Sequence, residues 1–225
     1  MERPEELNTH LVQLVEKWKA DGSPKQVGFD WSARRKNWVN KFPVESEFIE
    51  KLPDVIDRTH VRNLCESYDS NIRQKFLAIM IWGYGDLGYG PYRVDQMLNQ
   101  KNTETILSNA FNHCRNGDPI LAYEFLSRNR IHVLGPSYST KFINFCTPRD
   151  VGAPIYDSYV AKWVDVFALD EFSEVRTASR NWNSKTYAHY WSWIKKHSQI
   201  TGCFPDEIEL VLFNDAEAQF SKSMK

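Results

Sequence analysis

The spacing of apolar residues is the feature that most restricts the fold of this chain. Leu7, Leu11 and Val15 recur every four residues, which places their side chains on one face of a helix. Convincing alternation of apolar and polar residues, typical of strands, is absent. We therefore predict an all-α protein with about nine or ten helices. Similar stripes recur at Phe76, Ile79 and Met80, at Leu121, Phe125 and Leu126, at Val160, Trp163 and Val164, and at Ile208, Val211 and Leu212.

The length and the net charge of the chain limit the size of its core and the kind of binding site it can form. A chain of 225 residues, 42% of them hydrophobic, can bury one substantial core or two small lobes that share an interface. We expect one enzyme-sized unit over residues 1–225, with the glycine-rich segment 82–93 as its most linker-like part. The formal net charge is -1, from 28 Lys and Arg against 29 Asp and Glu. Any site for a polyanion must therefore be a local patch.

Cysteine usage and the chain start give expectations about metals and location. Cys65, Cys114, Cys146 and Cys203 are widely scattered and include no CxxC pair, which favours buried reduced thiols over a zinc or iron–sulfur site. His113, next to Cys114, lacks matching partners, so we expect no metal and no cofactor. The sequence has no run of about 18 apolar residues and no signal-peptide pattern at its start. A soluble cytoplasmic protein without a membrane partner is expected.

A hairpin between two helices is predicted over residues 118–147. Asp118 and Pro119 are a cap and a first-turn proline, and residues 134–139 form a turn rich in small residues. The second helix is predicted over residues 140–147, with Lys141 in its first turn. Uncovered N–H groups in such a turn suit a phosphate. At a helix start a lysine loses some preference for its charged form, and a neutral amine is a nucleophile.

A carboxylate follows sixteen residues after Lys141. Asp157 precedes one of the striped helices, where it is predicted to cap the free N–H groups of the first turn. A carboxylate beside a neutral amine could manage protons and stabilise positive charge on a sugar during attack at its anomeric carbon. This combination is the chemistry of base excision from DNA. The alternatives are that Lys141 is a solvated surface lysine and Asp157 only a cap.

Two segments resemble the helix-hairpin-helix DNA glycosylases, in particular their 8-oxoguanine DNA glycosylase-like branch. The hairpin of that family reads roughly L-P-G-V-G-x-K, and residues 136–141 here read PSYSTK. A V-D-x-H-V-like segment follows in the family, and residues 154–160 here read PIYDSYV. Ser137 and Ser139 replace the two hairpin glycines, which makes positive φ angles costlier. A tyrosine stands where the family often has histidine.

The resemblance implies a fold, a site and a partner. The fold would be two-lobed and helical, with the active site in the cleft between the lobes. Lys141 would be the Schiff-base nucleophile and Asp157 its catalytic carboxylate. The partner would be DNA with a flipped damaged or modified nucleotide, bound by a monomer. The hairpin residues expected to contact DNA are Gly135, Ser137, Ser139 and Thr140.

Two further groups of residues are candidates for DNA recognition. A flipped base is held against aromatic faces, and residues 82–93 offer the pocket candidates Tyr84, Asp86, Tyr89 and Tyr92. The alternative is a loop whose tyrosines cover the core. In residues 31–42 the basic residues Arg34, Arg35, Lys36 and Lys41 are interleaved with Trp38, as on a surface that tracks a DNA backbone. Residues 180–197 form a second basic and aromatic candidate, and both stretches are equally explained as solvated helix faces.

The sequence leaves three functions to compare. The leading hypothesis is a DNA glycosylase that acts through a lysine Schiff base, with or without AP lyase activity. Its substrate would be oxidised guanine, or a modified base in phage DNA if the protein serves anti-phage defence. The alternatives are a non-catalytic helix-hairpin-helix DNA-binding module and a helical protein-interaction domain.

Overall fold

The computed structural model describes residues 7–175 and 181–222, and this part of the chain is almost entirely helical. The all-α prediction is confirmed. The twelve α-helices in the described residues exceed the nine or ten predicted, because short polar helices such as α2 lack an apolar stripe. The helices are α1 (Thr9–Ala20), α2 (Ser32–Lys41), α3 (Ser46–Lys51), α4 (Arg58–Glu66), α5 (Ile72–Tyr84), α6 (Gly90–Leu98), α7 (Thr103–Arg115), α8 (Pro119–Arg128), α9 (Pro136–Cys146), α10 (Ser158–Phe167), α11 (Ser184–Thr201) and α12 (Pro205–Phe220).

Two short strands, β1 (Phe29–Asp30) and β2 (Val55–Ile56), pair antiparallel with Phe29 opposite Ile56. A short 3-10 turn at Pro43–Glu45 lies between α2 and α3. The predicted linker-like segment 82–93 is mostly helical. Helix α5 continues to Tyr84 and α6 begins at Gly90, so only residues 85–89 form a loop.

Side-chain caps fix where several helices begin. The Asn8 side chain accepts a hydrogen bond from the Leu11 N–H at 2.9 Å, so α1 begins after Asn8. Pro119 occupies the first turn of α8 as predicted, but the Asp118 side chain makes no cap hydrogen bond. That part of the prediction is wrong, and the fixed φ of the proline alone accounts for the helix start.

The start of α9 differs from the prediction. The helix begins at Pro136, four residues earlier than expected, and the Ser139 N–H already donates to the Gly135 carbonyl at 3.0 Å. Proline suits this position because its φ is preset for a helix and its missing donor would have had no partner there. Lys141 therefore lies in the second turn of α9. The prediction that it occupies the positive end of the helix dipole is wrong.

The helices pack in two groups around a continuous set of buried side chains. In the first group α4, α5 and α7 contact α9, and α8 contacts α7 and α9. In the second group α1 and α11 contact each other, and both pack on α12, which also covers α10. The segment after α9 connects the groups, so the end of the hairpin and the start of α10 lie where they meet.

A buried histidine ties α11 to the segment before α1. The His197 ring lies 2.8 Å from the Trp193 carbonyl through Nδ1, and Nε2 lies 3.2 Å from the Asn8 backbone N–H. Nε2 must therefore be the accepting nitrogen and Nδ1 the donor, which describes a neutral ring. Burial lowers the pKa of His197, and the nearby Lys196 charge acts in the same direction.

The four cysteines are all buried and unpaired, as predicted for reduced thiols. In the described ranges no helix is both long enough and apolar enough to cross a membrane. Within residues 7–175 and 181–222, no three His, Cys, Asp or Glu side chains gather into a group that could hold a metal ion.

Candidate active site

A buried ion pair joins the two helix groups. The Nζ atom of Lys141 on α9 lies 3.4 Å from Oδ2 of Asp157, which precedes α10. Only 11% of the lysine side chain and 13% of the aspartate side chain are exposed. Lysine is rarely this buried without a partner. The structure therefore brings together the two residues that the sequence nominated for catalysis, and Lys141 is not a solvated surface lysine.

The two carboxylate oxygens of Asp157 have different partners. Oδ1 accepts hydrogen bonds from the backbone N–H groups of Tyr159 at 3.1 Å and Val160 at 3.2 Å, which confirms the predicted cap. Oδ2 faces Lys141. Because the cap fixes the carboxylate to the backbone, its free oxygen is held in one direction, toward the amine.

The lysine side chain runs through a narrow space between α5 and α9. A Cβ atom on Gly83 would lie 3.2 Å from Cδ of Lys141 and 3.3 Å from the Tyr138 ring. Nζ of Lys141 lies 5.4 Å from the centre of the Tyr138 ring, and that ring stacks on Tyr84 at 4.4 Å. Gly83 and Tyr138 were missed from the sequence, where Gly83 looks like one more residue of an apolar helix.

A second buried ion pair lies beside the first. Arg58, the first residue of α4, donates to both carboxylate oxygens of Glu209 on α12, at 2.6 and 3.1 Å. The remaining guanidinium donor, Nε, bonds to Gln26 Oε1 at 2.6 Å, and the guanidinium carbon lies 5.4 Å from the centre of the Trp82 ring. Burial raises the pKa of Glu209, although Arg58 opposes this rise.

The charges of the two pairs act on each other. The negative charge of Asp157 raises the pKa of Glu209 further and the positive charge of Lys141 lowers it. Asp157 and Glu209 also both favour the charged form of Arg58. The site is therefore an array of two cations and two anions, contributed by α4, α9, α12 and the cap of α10. Arg58 and Glu209 were missed because 151 positions separate them in the sequence.

The hairpin residues nominated for DNA binding divide into two kinds. Ser139 and Thr140 are buried, and their hydroxyls donate to the carbonyls of Gly135 at 3.0 Å and Ser137 at 2.9 Å. The Thr140 hydroxyl also accepts from the Tyr156 N–H at 3.1 Å, which ties the hairpin to the residue before Asp157. These two side chains are therefore engaged inside the protein. Gly135 and Ser137 are partly exposed at the start of α9, where first-turn N–H groups have no acceptor within the helix.

The tyrosines nominated for a base pocket do not form one group. Tyr84 is buried, burial raises its pKa, and its ring touches Tyr138 beside the lysine. Tyr89 is 50% exposed and meets Tyr84 edge-on at 5.8 Å. The exposed Tyr92 instead contacts Gln96, and Asp86 is exposed in the loop. An aromatic series therefore leads from Lys141 through Tyr138 and Tyr84 to Tyr89 at the surface.

The basic residues of α2 also divide. Arg34 and Lys36 are exposed, and Arg34 lies beside Gly88 in the loop that carries Tyr89. The Arg35 guanidinium forms its hydrogen bonds within the protein. It bonds to the carbonyls of Ile49, Glu50 and Leu52 and to Asp54, and it lies 4.3 Å from the centre of the Trp31 ring. Arg35 thus holds the end of α3 through its Nη1 and Nη2 atoms.

The second basic stretch lies partly outside the described residues, at position 180. Within its described part, Lys195 lies 4.5 Å from the centre of the Trp191 ring, and Trp191 donates to the Gly152 carbonyl at 2.7 Å. Lys185 is exposed at the start of α11.

A cavity of about 400 Å³ lies on the side of Arg58 next to α1 and α12. Its lining includes Trp18, Gln26, Arg58, Arg62 and Leu210. Arg58 thus belongs both to this cavity and to the charged array around Lys141.

Comparison with known protein families gives one match. The family model described as "Putative 8-oxoguanine DNA glycosylase OGG-like protein" matches residues 22–213. Neither the curated proteins nor the solved structures that were searched contain a match. The resemblance read from the hairpin and the aspartate segment is confirmed. Because the match covers most of the chain, the protein belongs to the 8-oxoguanine DNA glycosylase OGG-like family.

Proposed function

We propose that this protein is a DNA glycosylase in which Lys141 forms a Schiff base with the sugar of an everted nucleotide. The observation that carries the proposal is the buried contact of 3.4 Å between the Lys141 amine and the Asp157 carboxylate, at the meeting of the two helix groups. Membership of a family named for glycosylases supports the same chemistry. A lysine amine and an oriented carboxylate are the groups that covalent attack at C1′ requires.

The proposed reaction begins with a proton transfer. Lys141 gives up a proton to Asp157 Oδ2, and its lone pair forms a bond to C1′ while the glycosidic bond breaks. The electron pair of that bond leaves with the base, which takes up the proton from Asp157. The attached nitrogen then transfers a proton to the ring oxygen O4′ as the C1′–O4′ bond breaks, so the sugar ring opens to a hydroxyl and a Schiff base forms between nitrogen and C1′. Once its proton has passed to the base, the Asp157 carboxylate is anionic again and stabilises the positive charge on the sugar–lysine adduct.

The fate of the imine defines the product. Hydrolysis returns the free lysine and leaves an abasic site. Loss of the proton at C2′ with expulsion of the 3′ phosphate gives β-elimination and a nicked strand, which is AP lyase activity. A denaturing gel run with and without alkali separates the two products, because only the abasic site needs alkali for strand cleavage.

Groups at the surface near Lys141 would hold the DNA. The uncovered N–H groups at the start of α9, around Gly135 and Ser137, suit one backbone phosphate. Arg34 adds positive charge next to the loop that presents Tyr89, whose exposed ring can stack on a base, and Lys36 adds a further exposed charge on α2. The everted base has two candidate locations, the aromatic series at Tyr84 and Tyr89 and the cavity beside Arg58. Loss of excision with Tyr89→Ala would favour the first, and loss with Gln26→Ala the second.

Borohydride trapping tests the enzyme directly. Incubation with a duplex containing 8-oxoguanine and borohydride should yield a covalent protein–DNA adduct. Lys141→Gln should abolish the adduct while DNA binding changes by only a few fold, and Asp157→Asn should slow its formation. The matched control is Lys162→Gln, which removes an exposed lysine of α10. An adduct that persists in Lys141→Gln would refute the assignment of the nucleophile.

The same assay separates the alternative function and the substrates. A non-catalytic helix-hairpin-helix module predicts salt-dependent DNA binding, no adduct with the unchanged protein, and no effect of Lys141→Gln on binding. The family name is the reason to test oxidised guanine first among the proposed substrates. A parallel panel with modified bases of phage DNA tests the anti-phage role, which requires release of those bases and not of 8-oxoguanine.

A further inference from the structure

The segment that leads from α9 to α10 is buried although it has no regular secondary structure. Residues 152–157 all lie inside the protein and belong to no helix or strand. Buried backbone N–H and C=O groups need hydrogen-bond partners, which a helix or a sheet would normally supply. In this segment the side chains of two neighbouring helices supply them, so those side chains determine where the segment lies.

Helix α11 holds the segment from the side of the second helix group. Three of its aromatic side chains donate to backbone carbonyls of the segment: Trp191 to Gly152 at 2.7 Å, Tyr187 to Pro154 at 3.2 Å and Tyr190 to Ile155 at 3.3 Å. These bonds satisfy buried carbonyls, and they fix the segment relative to α11.

Helix α9 holds the same segment from the opposite side. The Thr140 hydroxyl donates to the Ser137 carbonyl at 2.9 Å and accepts from the Tyr156 N–H at 3.1 Å. The Tyr156 carbonyl lies 3.4 Å from the same hydroxyl oxygen, so both backbone polar groups of Tyr156 face Thr140. One turn later on α9, the side-chain amide of Asn144 donates to the Ala153 carbonyl at 2.6 Å. The segment is therefore also fixed relative to the helix that carries the ion-paired lysine.

Two neighbouring contacts join α9 to the end of this segment. Thr140 precedes Lys141 and Tyr156 precedes Asp157, so both contacts span sixteen positions. The threonine contact is made by a short, buried side chain, whereas the lysine amine lies at the end of a long flexible one. The bond of Thr140 therefore fixes how far the backbone before Asp157 lies from α9, and the lysine side chain spans the distance that results.

We propose that Thr140 is a positioning residue whose hydroxyl sets the distance between the Lys141 amine and the Asp157 carboxylate. The proposal rests on the proposed function, in which Lys141 is the nucleophile. Transfer of a proton between the two groups requires hydrogen-bond reach, so a small outward movement of the segment slows the chemical step. Thr140 itself is buried and does not touch the substrate in this role.

Single-turnover base release from a duplex containing 8-oxoguanine, at saturating protein, tests the effect on chemistry apart from binding. Thr140→Val removes the hydroxyl and keeps the branched shape, and it should slow release about tenfold while the Kd for DNA changes by less than about twofold. Thr140→Ser keeps the hydroxyl and should restore most of the rate. The matched control is Thr103→Val, which removes another buried threonine hydroxyl, bonded to the Met97 carbonyl at 2.8 Å, and should keep the rate of the unchanged protein.

A second measurement needs no DNA. A double-mutant cycle of Lys141→Met and Asp157→Asn, followed by urea unfolding, measures the coupling between the amine and the carboxylate. In a Thr140→Val background this coupling should fall by about half or more, whereas it should persist in the Thr140→Ser and Thr103→Val backgrounds. A threonine that only stabilised the fold would lower the stability of every member of the cycle equally and leave the coupling unchanged.

Several results would overturn the proposal. These are an unchanged coupling in Thr140→Val, slow base release that Thr140→Ser does not restore, and equal slowing in Thr103→Val. If Thr140→Val does not fold by circular dichroism, Thr140→Ala takes its place in both measurements. The space left by alanine can hold a water molecule that satisfies the Tyr156 N–H without fixing it to α9.

The two measurements also separate this proposal from the proposed function. Reduced coupling in Thr140→Val, with no base release by the unchanged protein from any duplex of the substrate panel, would refute the glycosylase and leave the positioning role intact. Base release that Thr140→Val does not slow, with an unchanged coupling, would refute the positioning role and leave the glycosylase intact.

Discussion

Asp157 makes two interactions, and two substitutions can separate their contributions to stability. Its Oδ1 atom caps α10 and its Oδ2 atom pairs with Lys141. Asp157→Asn keeps an oxygen that accepts from the backbone N–H groups and removes the charge. Asp157→Ala removes both the cap and the charge. The difference between the two variants therefore measures the cap, and the loss in Asp157→Asn measures the ion pair.

The geometry gives the expected magnitudes. Replacement of a capping side chain by alanine costs about 1 kcal/mol of stability. A hydrogen bond between charged groups contributes about 1.5 to 3 kcal/mol, and the long contact of 3.4 Å places this pair at the lower end. Solvent screening is small because both side chains are nearly buried. The free energy of unfolding should therefore fall by about 1.5 kcal/mol in Asp157→Asn and by about 2.5 kcal/mol in Asp157→Ala.

Urea unfolding at pH 7 measures these losses, and a double-mutant cycle isolates the pair. Combining Lys141→Met with Asp157→Asn should reveal a coupling energy of about 1.5 kcal/mol. Equal losses in the asparagine and alanine variants would contradict the cap. A coupling energy near zero would mean that the amine and the carboxylate do not interact in solution, and the proposed first step of catalysis would lose its basis.

Four further substitutions test other parts of the structure. Burial lowers the pKa of His197, so on acidification this histidine takes up a proton in the unfolded chain before it does so in the folded protein. The free energy of unfolding, measured in urea, should therefore be constant above about pH 6.5 and fall below that pH by up to about 1.4 kcal/mol per pH unit. The His197→Gln variant should lack this pH-dependent loss. Gly83→Ala should slow adduct trapping about tenfold while the protein stays folded, because the added Cβ crowds the lysine side chain at 3.2 Å. Arg35→Ala should lower the free energy of unfolding by about 2 kcal/mol, whereas Arg34→Ala should leave stability unchanged and reduce the salt dependence of DNA binding by about one charge in a titration.

The parts that the sequence predicted depend on short-range signals. The apolar stripes determine which helix faces are buried, so the all-α fold could be read from spacing alone. Asp157 caps the N–H groups two and three residues further along, a contact within one turn. The partnership of Lys141 with Asp157 needed the family resemblance in addition, because their sixteen-residue separation spans a turn of irregular backbone.

The start of α9 shows two local signals in conflict. Pro136 is a strong first-turn residue, but serines at positions 137 and 139 replace the glycines of the family hairpin and favour a turn. The proline prevails because the Ser139 hydroxyl bonds back to the Gly135 carbonyl, which satisfies the serine inside a helix. The serine that seemed to extend the turn is therefore accommodated within the first turns of the helix.

The remaining differences between the sequence predictions and the structure concern side chains whose partners are distant in the sequence. Arg35 stands in a basic run with Arg34 and Lys36, and nothing local marks it as different. In the fold it meets three carbonyls at the end of α3, fourteen to seventeen positions away. The Arg58–Glu209 pair lies further apart still, and each residue alone looks like a solvated charge on a helix. Such contacts depend on how helices pack, which the pattern of one sequence does not specify.

The corrected helix start changes the physical account of the lysine. The dipole that was expected to act on Lys141 acts instead on Asp157, which lies at the positive end of α10 and is stabilised there as an anion. A stabilised carboxylate is a poor permanent base but a good counter-charge for a cationic sugar. The proton from Lys141 should therefore rest on Asp157 only briefly and pass to the departing base. Asp157→Glu, which lengthens the side chain and disturbs the cap, should then slow single-turnover base release relative to the unchanged protein.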